Sequence, residues 1–200
     1  MAGRHADNSK GDFENPPIAT HLGRCFKLVD IGTQHGDYQG KPTKNDQFIA
    51  FFELPNAKMA DGNIFTVARF YNKSMGSKAA LRKDLEAWRG KPFTEEELKK
   101  FDLMKILGQP CMVSVIAKSG GDGVKVGAVF AVPVGIPVPP QVNPSFAFWI
   151  DEWDQTKFDS LPNGIKVLIA KSDEYIARFT GATNGSSHKA ETPAQAGVPF

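Results

Sequence analysis

The sequence predicts a mainly β domain with α additions: a five-stranded barrel, a helical insertion between its third and fourth strands, and a C-terminal helical extension. Three observations lead there. Segments of eight or nine residues, rich in β-branched and aromatic side chains, recur between turns containing Gly, Asp and Asn. Between the third and fourth of these segments the apolar spacing switches from two residues to that of a helix. Hydrophobic residues make up 41% of the 200 residues, enough for one core, and no apolar run approaches the ~18 residues that a spanning helix requires.

Residues 1–22 mix acids, bases, Gly, Asn, Ser and Pro without period and read as a flexible arm. RCFKLVDI, residues 24–31, is the first strand, stopping at Gly32, and the polar residues 36–46 read as a loop. QFIAFFEL (47–54) and IFTVARFY (64–71) are the second and third strands, separated by a turn ending in Asp61-Gly62-Asn63. Alternation places Ile49, Phe51 and Glu53 on one face of the second strand, and Phe65, Val67, Arg69 and Tyr71 on one face of the third. The charges of Glu53 and Arg69 mark these as the faces that meet water, so Phe51, Phe65 and Tyr71 are expected there. Ser77 is the expected N-cap of a helix with Leu81, Leu85 and Trp88 on its apolar stripe, Lys78, Arg82 and Arg89 along one edge, and a stop at Gly90. Thr94 with Glu97 forms a capping-box pattern, and Asp102 caps a further turn. Two strands follow, 111–118 and 124–132, joined by a glycine-rich turn. The barrel domain is thus 23–132. Residues 133–180 hold a proline-rich connection, an acidic aromatic segment and a last helix over about 163–179, packed on the domain; 181–200 read as a disordered tail.

The residue types exclude several chemistries. His5, His21, His35 and His188 all fall in predicted arms or loops, and there is no GxSxG, HExxH, GxxxxGK[ST] or paired CxxC pattern. Cys25 and Cys111 are too few for a zinc site, and the N-terminus has no apolar stretch of signal-peptide type, so both thiols are expected reduced in a cytoplasmic protein. The glycine-rich residues 119–123 precede a strand and read as a hairpin turn, not a phosphate cradle. Asp151, Glu152 and Asp154 read as a solvated or partner-facing patch before a metal site. The expectation is a non-enzymatic protein without cofactor or metal.

Charge distribution says more than its total. The chain carries 24 Lys+Arg against 22 Asp+Glu, yet residues 69–91 hold seven bases and two acids, while 145–160 hold four acids and one base. Three strands, a helical insertion and two strands is the element order of the OB-fold barrel. A single-stranded nucleic acid needs cations along its phosphates and flat apolar groups under its bases. Phe51, Phe65 and Tyr71 are the candidate stacking residues, and Arg69, Lys73, Lys78, Arg82 and Lys83 the candidate phosphate contacts. The competing reading of each is ordinary: aromatics in strands build cores, and a basic helix edge is a solvated face. The opposed charge regions further suggest that the acidic segment folds over the basic groove and competes with the strand.

GTQ at 32–34, FFELP at 51–55 and especially SKAALRKDLEAWRGKPFTEEELKKFDLMKILGQPC at 77–111 resemble a family of bacteriophage-encoded single-stranded DNA-binding proteins with an OB fold, and the resemblance runs through most of 23–179. It implies sequence-tolerant coating of single-stranded DNA during phage DNA replication or recombination, in the cytoplasm of the infected bacterial host, with the neighbourhood of Tyr71, Lys73 and Lys78 on the DNA face. Pro199 and Phe200 resemble the Pro-Phe tip of the tails by which bacterial single-strand binding proteins recruit replication partners; here Glu191 is the sole acid of the last twenty residues. The alternative is a protein-interaction or structural phage module using the segment from Trp149 to Trp153.

Overall fold

The computed structural model describes residues 14–121 and 123–179. β1 (Thr20–Tyr38) pairs antiparallel with β2 (Lys41–Lys58), and β2 with β3 (Ile64–Asn72). On its other side β1 pairs with β4 (Pro110–Ala117), which pairs with β5 (Val124–Phe130), so the sheet runs β3-β2-β1-β4-β5. A short β6 (Phe146–Phe148) lies parallel to β1 at Lys27–Val29. The molecule is mainly β, with an open six-stranded sheet. Its two ends approach where the Arg69 guanidinium of β3 donates to the carbonyl of Val126 in β5, at 3.0 Å.

The β1–β2 hairpin corrects two sequence expectations. Thr20 to Leu22 belong to β1 and pair with β4, so the strand begins inside the segment expected to be a flexible arm. The polar residues 36–46 are not a loop: they are the outer half of the hairpin, turned by Gln39 and Gly40 with φ of +54° and +75°. Two left-handed residues in succession match the twist of a tight hairpin, which is why Gly stands second there. The segment lacks apolar alternation because the sheet core does not extend under it.

Two bulges in β1, between Cys25 and Lys27 and between Asp30 and Gly32, bend the strand and change which residues share a face. Cys25 and Leu28 join the main core with Phe48, Phe52, Phe65 and Val113. Val29 and Ile31 join a second core with Ile49, Phe148, Ile150 and Ile169 on the opposite face.

Helices cover both faces. α1 (Ala80–Arg89) buries Leu81 and Leu85 in the main core and stops at Gly90, whose φ is +71°. Its N-cap is Ala79, not Ser77, and it has no side-chain cap. α2 (Glu95–Lys100) starts with the capping box of Thr94 and Glu97, and a 3-10 turn (Leu103–Ile106) is capped by Asp102. α3 (Gln155–Asp159) lies in the acidic aromatic segment. The expected last helix over about 163–179 is two helices, α4 (Asn163–Ala170) and α5 (Asp173–Phe179), broken at buried Ser172, and together the three cover the second core. No helix among the described residues is long and apolar enough to cross a membrane.

Candidate nucleic-acid interface

The register decides which aromatic residues can meet a ligand. Phe48 stands opposite Tyr71, Ala50 opposite Arg69, Phe52 opposite Val67 and Leu54 opposite Phe65, so all eight share the inner face. The expectation that Phe65, Arg69 and Tyr71 meet water together with Phe51 is therefore corrected. Tyr71 is only 4% exposed; its ring stacks on Phe48 and its hydroxyl donates to Asp84 at 2.6 Å. Phe65 is equally buried in the main core. Arg69 is held under α1 by an ion pair with Asp84 at 2.9 Å. Burial pushes the Tyr71 phenol far above its ordinary range, and burial also raises the Asp84 carboxyl, against the Tyr71 hydrogen bond and the Arg69 charge. The charges that seemed to mark a wet face are buried with dedicated partners. Glu53 is fully buried and accepts from the amides of Val142 and Asn143 and from the Asn143 side chain.

The basic segment is largely neutralised. Lys73 bridges Asp30 at 2.8 Å and Asp46 at 2.9 Å. Burial pulls its pKa down, but the two carboxylates outweigh that and leave it above the ordinary lysine value. Arg82 pairs with Glu86, and Arg89 with Glu97. Of the expected phosphate contacts, Lys78 and Lys83 are exposed. Pro199 and Phe200 lie outside the described residues.

The outer face carries a different set. Across β3, β2, β1 and β6 runs a row in register: Ala68, Phe51, Lys27 and Phe146. The Lys27 ammonium lies 5.3 Å from the centre of the Phe51 ring and 4.7 Å from that of Phe146, an aromatic–cation–aromatic arrangement. Desolvation lowers the Lys27 pKa from its ordinary value. Both rings are half-buried against the edge of the second core. Beside this row, Thr66, Ala68 and Phe70 alternate along exposed β3, and Phe70 is 54% exposed. A depression of about 590 Å³ joins Phe70 to Lys78, Ser74 and Ser77. Another, of about 660 Å³, lies at the far end of β3 between Ile64, Thr66, Lys58 and the proline-rich strap at Pro140 and Asn143. The strap is pinned by the Glu53 contacts and by Arg24, which donates to the carbonyls of Gly108 and Pro139.

Of the expected stacking residues, the structure leaves Phe51 on an accessible face and brings it together with Lys27 and Phe146. Lys27 escaped sequence reasoning because simple alternation groups it with Cys25, which points into the main core; the bulge at Phe26 turns it outward. Phe146 escaped because its neighbour in space is 119 positions away in sequence. Among the described residues no group of three or more His, Cys, Asp or Glu could hold a metal. His21 contacts the carbonyl of Pro17 and His35 contacts Asp173. Both thiols are buried, and burial pushes that of Cys25 up to about 12. No family model matches the chain, and no curated protein is significantly similar to it.

Proposed function

We propose that this chain is a non-enzymatic, sequence-tolerant single-stranded DNA-binding protein built on an OB-type barrel, serving phage DNA replication or recombination. The strand order β3-β2-β1-β4-β5, the helices between β3 and β4, and the Arg69 bridge between β3 and β5 support the barrel reading. The observation that carries the functional reading is the Phe51–Lys27 pair on the outer face of β1 and β2, with exposed Phe70 and Lys78 one strand away. An aromatic ring receives any base because every base has a π face, and an adjacent ammonium answers the phosphate without reading sequence.

Fluorescence anisotropy of a labelled oligo(dT) over a salt series tests it. Affinity falls with salt at a log–log slope of about −0.7 for each neutralised phosphate. Absence of binding at low salt overturns the reading.

The runner-up is a protein-binding module. Trp153 packs against Phe148, Phe158 and Tyr175, while Asp151 and Glu152 of the same segment are exposed. The strap itself exposes Val134, Ile136, Val138 and Val142. A pull-down that recovers a protein partner after nuclease treatment, from a chain that binds no oligonucleotide, favours this alternative.

A further inference from the structure

The C-terminal extension was expected to compete with DNA through its acids. The described hydrogen bonds and ion pairs of its acids are made to groups other than Lys27. Asp154 is spent on the amide of Lys157 at the start of α3, and Asp151 on the amide of Glu152. Asp173 is turned to Lys44 and His35 on the outer hairpin, and Glu174 to Thr33. Glu53, which stands opposite Arg24 and two register pairs from Lys27, is occupied by three N–H donors of the strap. What the extension adds beside Lys27 is an aromatic ring, Phe146, held in place because Phe148 of the same strand is buried in the second core opposite Val29.

Phe51, Lys27 and Phe146 stand on three neighbouring strands in one register row, so the two phenylalanine backbones are about 10 Å apart, two strand spacings. The ammonium lies about midway between the rings, at 5.3 and 4.7 Å. In a single strand one phosphate stands between each pair of consecutive bases. Ring, cation, ring thus repeats the chemical order base, phosphate, base. We propose that Phe146 supplies a second stacking platform, and that Phe51, Lys27 and Phe146 together hold one dinucleotide step, with the strand crossing the sheet from β2 over β1 to β6. The extension is then part of the binding site. This rests on the single-strand reading above and specifies where and in what direction the strand lies.

The test uses the full chain and a labelled oligo(dT). Phe146→Leu keeps apolar volume against the second core but removes the π face, and Phe146→Trp keeps both. The Leu variant weakens binding about 5- to 150-fold, the range expected for one lost stacking contact, with the salt slope unchanged; the Trp variant binds at least as tightly as the original chain. Lys27→Met, by contrast, makes the slope shallower by about 0.7. Thermal melting of each variant accompanies the titrations. If the original chain binds and Phe146→Leu binds equally well, the second platform is wrong while single-strand binding stands. If Phe146→Trp melts normally but binds weakly, the platform is equally wrong. If the original chain fails to bind at low salt, the underlying reading falls.

Discussion

Tyr71 shows how a single residue can carry a correct chemical signal in the wrong place. An aromatic with a polar tip, close to Arg69 and Lys73, is what a nucleic-acid face requires, and those residues do cluster. They do so inward, because Asp84 of α1 reaches Tyr71 and Arg69 together. A charge in a strand indicates water only when no partner is folded over it. Arg69 meets Asp84 from the helical insertion and Glu53 meets the strap at Val142 and Asn143, both distant in sequence. Tyr71→Phe removes a donor from a buried carboxylate and is expected to cost about 1–3 kcal/mol, read as a fall of several degrees in Tm, with oligo(dT) affinity unchanged. Lost affinity at unchanged Tm would restore Tyr71 to the binding face. Lys73→Met likewise acts on stability. It leaves buried Asp30 without its cation, for a cost of about 2 kcal/mol after discounting for the partly exposed lysine, measurable by urea denaturation.

At the scale of elements, what local chemistry determines was legible in the chain: the capping box of Thr94 and Glu97, the Asp102 cap, the Gly90 stop, and the central spans, though not the inner faces, of β2, β3, β4 and β5. The outer hairpin was not, because residues 36–46 owe their strand conformation to cross-strand pairing rather than to an apolar pattern. Gly32 marks the junction with the extension. Its φ is +64°, and a Cβ there would lie 2.7 Å from Ser172 Cβ and 2.9 Å from Ile150 Cδ1. Gly32→Ala therefore strains the backbone and pushes the extension off the sheet, so limited trypsin digestion is expected to cleave at Lys166 and Lys171 sooner than in the original chain; equal rates would contradict this. The α1–α2 junction carries an acid-sensitive contact. The Arg89 side chain, followed by the Thr94 amide, holds Glu97 down to about 2. A carboxyl depressed on folding stabilises above its unfolded value and loses that contribution as pH falls through the folded one. The Tm advantage of the original chain over Glu97→Gln should accordingly be full at pH 5 and shrink toward pH 2. A difference that does not change across this window would show that Glu97 is not held as described.

For the whole molecule, the total of 24 bases and 22 acids says less than where the charges are tied. Arg69, Lys73, Arg82 and Arg89, four of the seven bases in the segment that looked most like a phosphate track, are tied to carboxylates. The mainly β architecture and the place of the helical insertion were readable because they follow from local periodicity and order. The candidate site was readable only at Phe51 and Lys78, because its remaining members depend on a bulge in β1 and on a strand contributed by the extension. The central claim is that the binding face is the outer face of β1 and β2 and not the buried face of β3. Titrating one labelled oligo(dT), at one low salt concentration, into the original chain, Phe51→Ala and Tyr71→Phe tests this most directly. Phe51→Ala is expected to weaken binding by about 1–3 kcal/mol while Tyr71→Phe binds as the original does. Equal binding by Phe51→Ala, or a loss confined to Tyr71→Phe, would contradict it.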